Sequence, residues 1–357
     1  MSLNKNILIY RLGSLGDTVI ALPVFHRIIE VYPDITRITL LTNKPVAAKA
    51  APLEAVLGKE HFFKDTLSYP VGTRNPVTIA KLVFEIKKRN IHTVINITAN
   101  RSPEADKRDK LFFKTAGVKE FIGFDTKPDD YKVKIDPNTG FYEWETSRLA
   151  RKIESLGKFD FNLEKYWDLK LTDKELVTAN KLLEQLTSSK PIIAMNVGTK
   201  MPIKDWGIDN WTNFISQISK DFKTDFQMVI IGVDEEKQLG DQCLAAWNGE
   251  GINLCGKSSP RVSAAILKQA VLFIGHDSGP MHLAACVGTP CLAVFSCINQ
   301  PKQWFPRGTN NYIVMPQTYC AQNGENSCSN PKKRCILTVQ VEELKKGFDQ
   351  LIREVVI

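Results

Sequence analysis

The chain has 357 residues, about right for two domains of ordinary size. Hydrophobic residues make up 43% and charged residues 24%, which excludes a disordered tail, a collagen-like fibre and a disulfide-stapled miniprotein. The net charge of +8 is mildly basic and short of a nucleic-acid-binding stripe, but it is uneven: residues 1–160 hold 26 Lys/Arg against 19 Asp/Glu, and residues 161–357 hold 21 against 20.

The first half is therefore the candidate for meeting an acidic partner; the plainer reading is a soluble surface with scattered lysines. No apolar run reaches the roughly 18 residues that span a bilayer. The opening MSLNKNILIYRLGS reads as a strand entry rather than a signal peptide. A cytoplasmic location is expected, with the eight cysteines mostly reduced.

Along the chain, β-branched runs at 7–10, 38–42, 93–98, 192–196, 228–231, 272–275 and 291–295 predict strands. Several are apolar at nearly every position, as parallel strands covered on both faces are. Helical segments lie between them. One spans 143–156 and ends at Gly157. Another starts from the capping-box pair Thr172 and Glu175. A third shows Trp211, Phe214, Ile215 and Ile218 at helical spacing, and a last helix covers 341–355. The alternation predicts an α/β fold with two doubly wound parallel-sheet domains. The pattern falters over 158–171, where the boundary is placed: a first domain at 1–162, a second at 163–337, and the terminal helix in 338–357.

Residues 251–258, GINLCGKS, match a phosphate-loop pattern in the wrong context, because the strand-like residues lie inside the motif and not before it. Three other strand ends carry chemistry. RLGSLGD (11–17) follows the first strand; its glycines allow close backbone approach, and Asp17 is either a general base at the strand's carboxyl end or a helix cap. NVGTKMPIKDW (196–206) offers Gly198, Thr199 and Lys200 at a strand end and Lys204 as a mobile charge suited to phosphate, with Trp206 reading as core. HDSGPMH (276–282) places Asp277, Ser278 and Gly279 at a helix entrance with His282 one turn in, a phosphate site built on a helix N-terminus. In GVDEE (232–236) a carboxylate suits ribose hydroxyls or simply starts a solvated helix.

Together RLGSLGD, GTKMPIKDW and HDSGPMHLAACVGTP resemble glycosyltransferase family 9, the heptosyltransferases of lipopolysaccharide core assembly. The resemblance implies a GT-B fold, two Rossmann-like domains facing across a cleft, with the acceptor on the first domain, the nucleotide sugar on the second, and residues 338–357 packing back on the first. It implies an inverting, metal-independent transfer without a cofactor, the donor being a nucleotide sugar, ADP-heptose foremost. Asp17 matches the catalytic base and Lys204 the lysine that neutralises the diphosphate. Gly198, Thr199, Lys200, Asp234, Glu235, Asp277, Ser278, Gly279 and His282 match the donor side. Arg11, Gly13, Ser14, Gly16, Arg101, Lys107 and Arg108 are acceptor-side candidates, the last three by charge and position only. An acidic glycolipid acceptor at the inner membrane surface is the expected partner, with no nucleic acid. Cys320, Cys328 and Cys335 lack a close C-x-x-C pair, leaving structural zinc, a disulfide and free thiols open. Two other functions stay in view: a nucleotide-sugar hydrolase or epimerase on the same fold, and a non-catalytic nucleotide-sugar-binding protein.

Overall fold

The structure is a computed structural model that describes residues 5–44, 51–58, 61–70, 72–99, 102–124, 132–298, 301–316 and 335–356. Its contacts divide the chain into two units, Met1–Lys170 and Leu171–Ile357, so the break falls eight residues past the expected one.

In the N-terminal unit the elements run β1 (Asn6–Tyr10), α1 (Leu15–Ile20), α2 (Leu22–Val31), β2 (Ile38–Asn43), α3 (Leu53–Leu57), β3 (Asp65–Tyr69), α4 (Pro76–Lys88), β4 (Ile91–Asn96), α5 (Pro103–Thr115), β5 (Glu120–Ile122) and α6 (Glu145–Lys152). The five strands are parallel in the order β3-β2-β1-β4-β5. Right-handed crossovers put α4 and α5 on one face, because β3→β4 and β4→β5 run in the same direction, and α1 to α3 on the other. Ile86 of α4 and Phe113 of α5 accordingly pack in one core with Leu8, Tyr10 and Val94.

The C-terminal unit runs α7 (Asp173–Leu183), β6 (Ile192–Asn196), α8 (Ile208–Phe222), β7 (Gln227–Ile230), α9 (Lys237–Trp247), β8 (Gly251–Asn253), α10 (Pro260–Leu267), β9 (Ala270–His276), α11 (Gly279–Cys286), β10 (Cys291–Val294), β11 (Asn311–Val314) and α12 (Val341–Val356). Its six parallel strands are ordered β11-β10-β9-β6-β7-β8. The capping box that starts α7 forms as its sequence predicts: Glu175 returns to the Thr172 backbone N–H at 2.8 Å.

The apolar face of the terminal helix belongs to the C-terminal core: Leu344, Phe348, Leu351 and Ile352 of α12 join it, and the Phe348 ring meets Phe214 and Phe222 of α8 edge-on at 6.1 and 5.2 Å. Three strands, β3, β5 and β11, lie outside the predicted runs, and β8 was read only as strand-like residues inside 251–258; all four are sheet edges. The context argument against a phosphate loop holds, since its first glycine opens β8 instead of following a strand. Cys320 and Cys328 lie outside the described residues. Cys335 is buried, and its sulfur lies 2.7 Å from that of Cys297, a neighbour the sequence reading did not name.

Candidate active site

Open parallel sheets bind ligands beyond the carboxyl ends of their strands, where the strand order reverses. Here the reversals fall between β1 and β4 in one unit and between β6 and β9 in the other. The motifs at 11–17, 196–206 and 276–282 start at these strand ends.

At the β1 end, Asp17 sits in the first turn of α1, so the helix starts before it and not after. Its Oδ2 accepts from the backbone N–H and hydroxyl of Ser14, both at 2.8 Å. Oδ1 stands 4.0 Å from Nη2 of Arg11, and the side chain is 25% exposed. Gly13 makes this packing possible: its φ is +146°, and a Cβ there would lie 2.5 Å from that of Asp17. Ser14 and Gly13 thus belong to the carboxylate's setting, and Gly16 is buried beneath it.

Arg11 is corrected. It is fully buried, and its guanidinium donates to the carbonyls of Ile97, at 2.6 Å, and of Asp17. It ties the loop after β1 to the loop after β4 and holds Asp17 in place, so it is a positioning group and not an acceptor contact. Burial pushes its pKa down, partly countered by the charges of Asp17 and Glu145. Beside it Arg148 forks onto Glu145 at 2.7 and 2.8 Å and donates to the Thr98 carbonyl at 3.1 Å. Lys107 and Arg108 are exposed on α5, with Arg108 paired to Asp109, and no described contact gathers them with Asp17. Arg101 lies outside the described residues.

At the β6 and β9 ends, Nζ of Lys204 meets Oδ2 of Asp277 at 2.6 Å, with Asp277 only 4% exposed. α11 begins at Gly279 with Pro280 in its first turn. Its N-cap residue, Ser278, makes no side-chain cap: the hydroxyl faces Oδ1 of Asn196 at 3.5 Å. The helix start therefore keeps backbone donors and the positive dipole end for an anion. His282 is buried one turn in, its ring against that of Trp304. Thr199 closes its own turn on Met201, and Lys200 is exposed.

The acidic run divides between solvent and the interior. Asp234 and Glu235 are exposed, whereas Glu236 turns inward. It accepts from Nδ2 of Asn196 at 3.1 Å and from the Val233 N–H at 3.2 Å. Burial raises its pKa, against those hydrogen bonds. Gly198 is its counterpart, since a Cβ there would lie 1.8 Å from Oε1 of Glu236.

His276, which the sequence reading did not single out as a site residue, organises the neighbourhood. Its Nε2 accepts from the Trp206 backbone N–H at 3.0 Å and from the Trp211 indole N–H at 3.2 Å. Two donors on one nitrogen require the neutral tautomer with its proton on Nδ1. Full burial pushes its pKa to about 4. The clamp holds the loop bearing Lys204 against the strand end bearing Asp277.

Comparison with known proteins bears on the family and the fold. The model of glycosyltransferase family 9 (heptosyltransferase) matches residues 114–334. Lipopolysaccharide heptosyltransferase 1 of Campylobacter coli is 24% identical over 360 aligned positions, 97% of this chain and 98% of that protein. Lipooligosaccharide heptosyltransferase 2 of Campylobacter jejuni is 25% identical over 193, covering 52% and 58%. Among solved structures, a family 9 glycosyltransferase from Veillonella parvula superposes with a TM-score of 0.69 at 17% identity, covering 99% of both chains. An Escherichia coli heptosyltransferase solved with ADP-2-deoxy-2-fluoro heptose superposes with a TM-score of 0.62 at 13% identity, covering 96% of this chain and 99% of that one. At such identities the superpositions show the fold, the two-sheet α/β architecture of GT-B heptosyltransferases.

Proposed function

The chain belongs to glycosyltransferase family 9 (heptosyltransferase), and from that premise we propose that it transfers heptose from ADP-heptose to a lipopolysaccharide-type acceptor, inverting the anomeric centre without a metal or a bound cofactor. The observation that carries this reading is the pairing of an uncapped helix start with a lysine in the C-terminal unit, beside the family motif that the sequence shows there.

In the proposed chemistry, an acceptor hydroxyl attacks the anomeric carbon and a nucleoside diphosphate leaves. The hydroxyl is a poor nucleophile near neutral pH. Asp17 takes its proton as the bond forms, an assistance worth about 10²–10⁴-fold. Negative charge grows on the departing diphosphate. Lys204 and the free N–H groups at Ser278 and Gly279 stabilise it where it develops. Asp277 holds Lys204 in the resting protein and releases it to the phosphate. Glu236, with Asn196, is placed to accept from donor hydroxyls. Acceptor binding falls to the N-terminal unit and donor binding to the C-terminal one.

The acceptor is lipid-borne in this reading, so the protein works at the cytoplasmic face of a membrane by peripheral contact. No described helix is long and apolar enough to cross one. Incubation with ADP-heptose, with and without a deacylated lipopolysaccharide acceptor and in the presence of EDTA, tests the proposal. A glycosylated acceptor with inverted anomeric configuration is expected. Free sugar or an epimerised nucleotide sugar formed equally without acceptor would favour the hydrolase or epimerase, and loss of activity in EDTA would point to a metal-dependent transferase.

A further inference from the structure

Helix α4 is buried at one residue, Ile86, out of thirteen. Opposite Ile86, helical spacing aligns Val77, Lys81, Phe84 and Lys88 in one stripe. Val77 is 59% and Phe84 62% exposed. The neighbouring α5 repeats the pattern with Lys107, Leu111 and Lys114, Leu111 being 66% exposed, while Phe113 fills the core behind. Both helices lie on the same face of the sheet.

Exposed apolar residues on a surface helix usually border the buried side. Here large apolar side chains stand in the middle of the outward stripe, flanked by lysines on both helices. The acidic residues nearby are mostly engaged or turned inward: Glu85 pairs with Arg89, Asp109 with Arg108, and Asp106 is buried, leaving Glu104 at the first turn of α5. The face is therefore cationic with apolar tips. An anionic bilayer surface complements it: phosphate headgroups meet the lysines, and the ring of Phe84 and the side chain of Leu111 enter the headgroup boundary.

We propose that the α4–α5 face of the N-terminal unit docks this protein on anionic phospholipid. The proposal rests on the reading of a lipid-borne acceptor, and it gives Lys107 a place on the docking face rather than beside Asp17.

Co-sedimentation of the full chain with vesicles tests it. The protein should bind phosphatidylethanolamine/phosphatidylglycerol vesicles, ignore phosphatidylcholine vesicles, and be released by high salt. A Lys81→Glu/Lys88→Glu/Lys114→Glu variant should lose at least about a hundredfold in vesicle affinity. Phe84→Ser/Leu111→Ser should lose about tenfold. Because these side chains are exposed, thermal unfolding and turnover on a deacylated, water-soluble acceptor should match the wild type in both variants. Equal binding to the two vesicle types, or unchanged binding by the charge-reversed variant, overturns the docking face. So does a wild-type dimer in sedimentation velocity that the variants abolish, which would make it a self-association surface. Wild-type protein that binds vesicles but leaves the deacylated acceptor untouched would instead sink the functional reading and leave the face standing.

Discussion

Two helices start beyond strands that flank the two sheet reversals, α1 after β1 and α11 after β9, and they are finished differently. In the N-terminal unit, α1 is closed by its own Asp17, which returns to Ser14 at 2.8 Å and is braced from below by a buried arginine. In the C-terminal unit, α11 is left open, because Ser278 looks to Asn196 instead of to the helix it begins. A closed start fixes one carboxylate in one orientation and leaves it part-exposed. An open start keeps unsatisfied N–H groups and a dipole end for a ligand's charge. Under the proposed function, the same strand-turn-helix unit serves proton transfer in one place and anion binding in the other.

Substitutions can break that contrast in a graded way. Asp17→Asn keeps the shape and the Ser14 contacts but cannot accept a proton; turnover should fall by about 10²–10⁴-fold in a steady-state assay. Near-wild-type turnover would remove the base from the account. Lys204→Ala should weaken nucleoside-diphosphate binding by about 10–100-fold, the scale of one charge-assisted hydrogen bond. It also takes one ion-pair partner from Asp277, a buried carboxylate, so its Tm should drop. Lys204→Ala/Asp277→Ala should recover much of the Tm and none of the affinity. If affinity returns with the Tm, the lysine is structural.

Gly198→Ala sharpens the contrast at smaller scale. Its methyl group occupies the place of the Glu236 carboxylate. Donor KM should rise by about fivefold, the worth of one polar contact, with turnover at saturation little changed. The smallest effect on activity and the clearest in pH concerns His276. Its pKa lies near 4, below its ordinary 6.5, because burial disfavours the imidazolium. The unfolded chain takes up a proton near pH 6.5 that the folded chain refuses until about pH 4. Stability is therefore lost as pH falls through that window, by roughly 3 kcal/mol at its lower end. Denaturant titrations of the wild type and His276→Gln across it should show a shallower pH slope in the variant. Parallel slopes would mean that the imidazole is not the neutral clamp.

What the sequence made legible follows from where side chains sit. The central strands of both sheets are covered on both faces and so spell continuous apolar runs, which is why β1, β2, β4, β6, β7, β9 and β10 were readable. The edge strands β3, β5, β8 and β11 are three to five residues long and half-covered, and a short mixed run such as DTLSY carries no such signature. Asp17, Lys204 and the 276–282 turn were legible because glycines, proline and charges cluster right after buried strands. The role of Arg11 was not, because a charge in a ligand-facing loop and a charge folded beneath it read alike in one dimension. Glu236 hid among three consecutive carboxylates, and only the turn after β7 decides which of them points inward. The last helix is amphipathic, and nothing in its own pattern says which unit receives its apolar face.

The division between the closed and the open helix start is tested most directly by calorimetric titration of ADP into the wild type, Asp17→Asn and Lys204→Ala. The account predicts an unchanged Kd for Asp17→Asn and a Kd raised by about 10–100-fold for Lys204→Ala. Equal losses in both variants, or none in either, would contradict it.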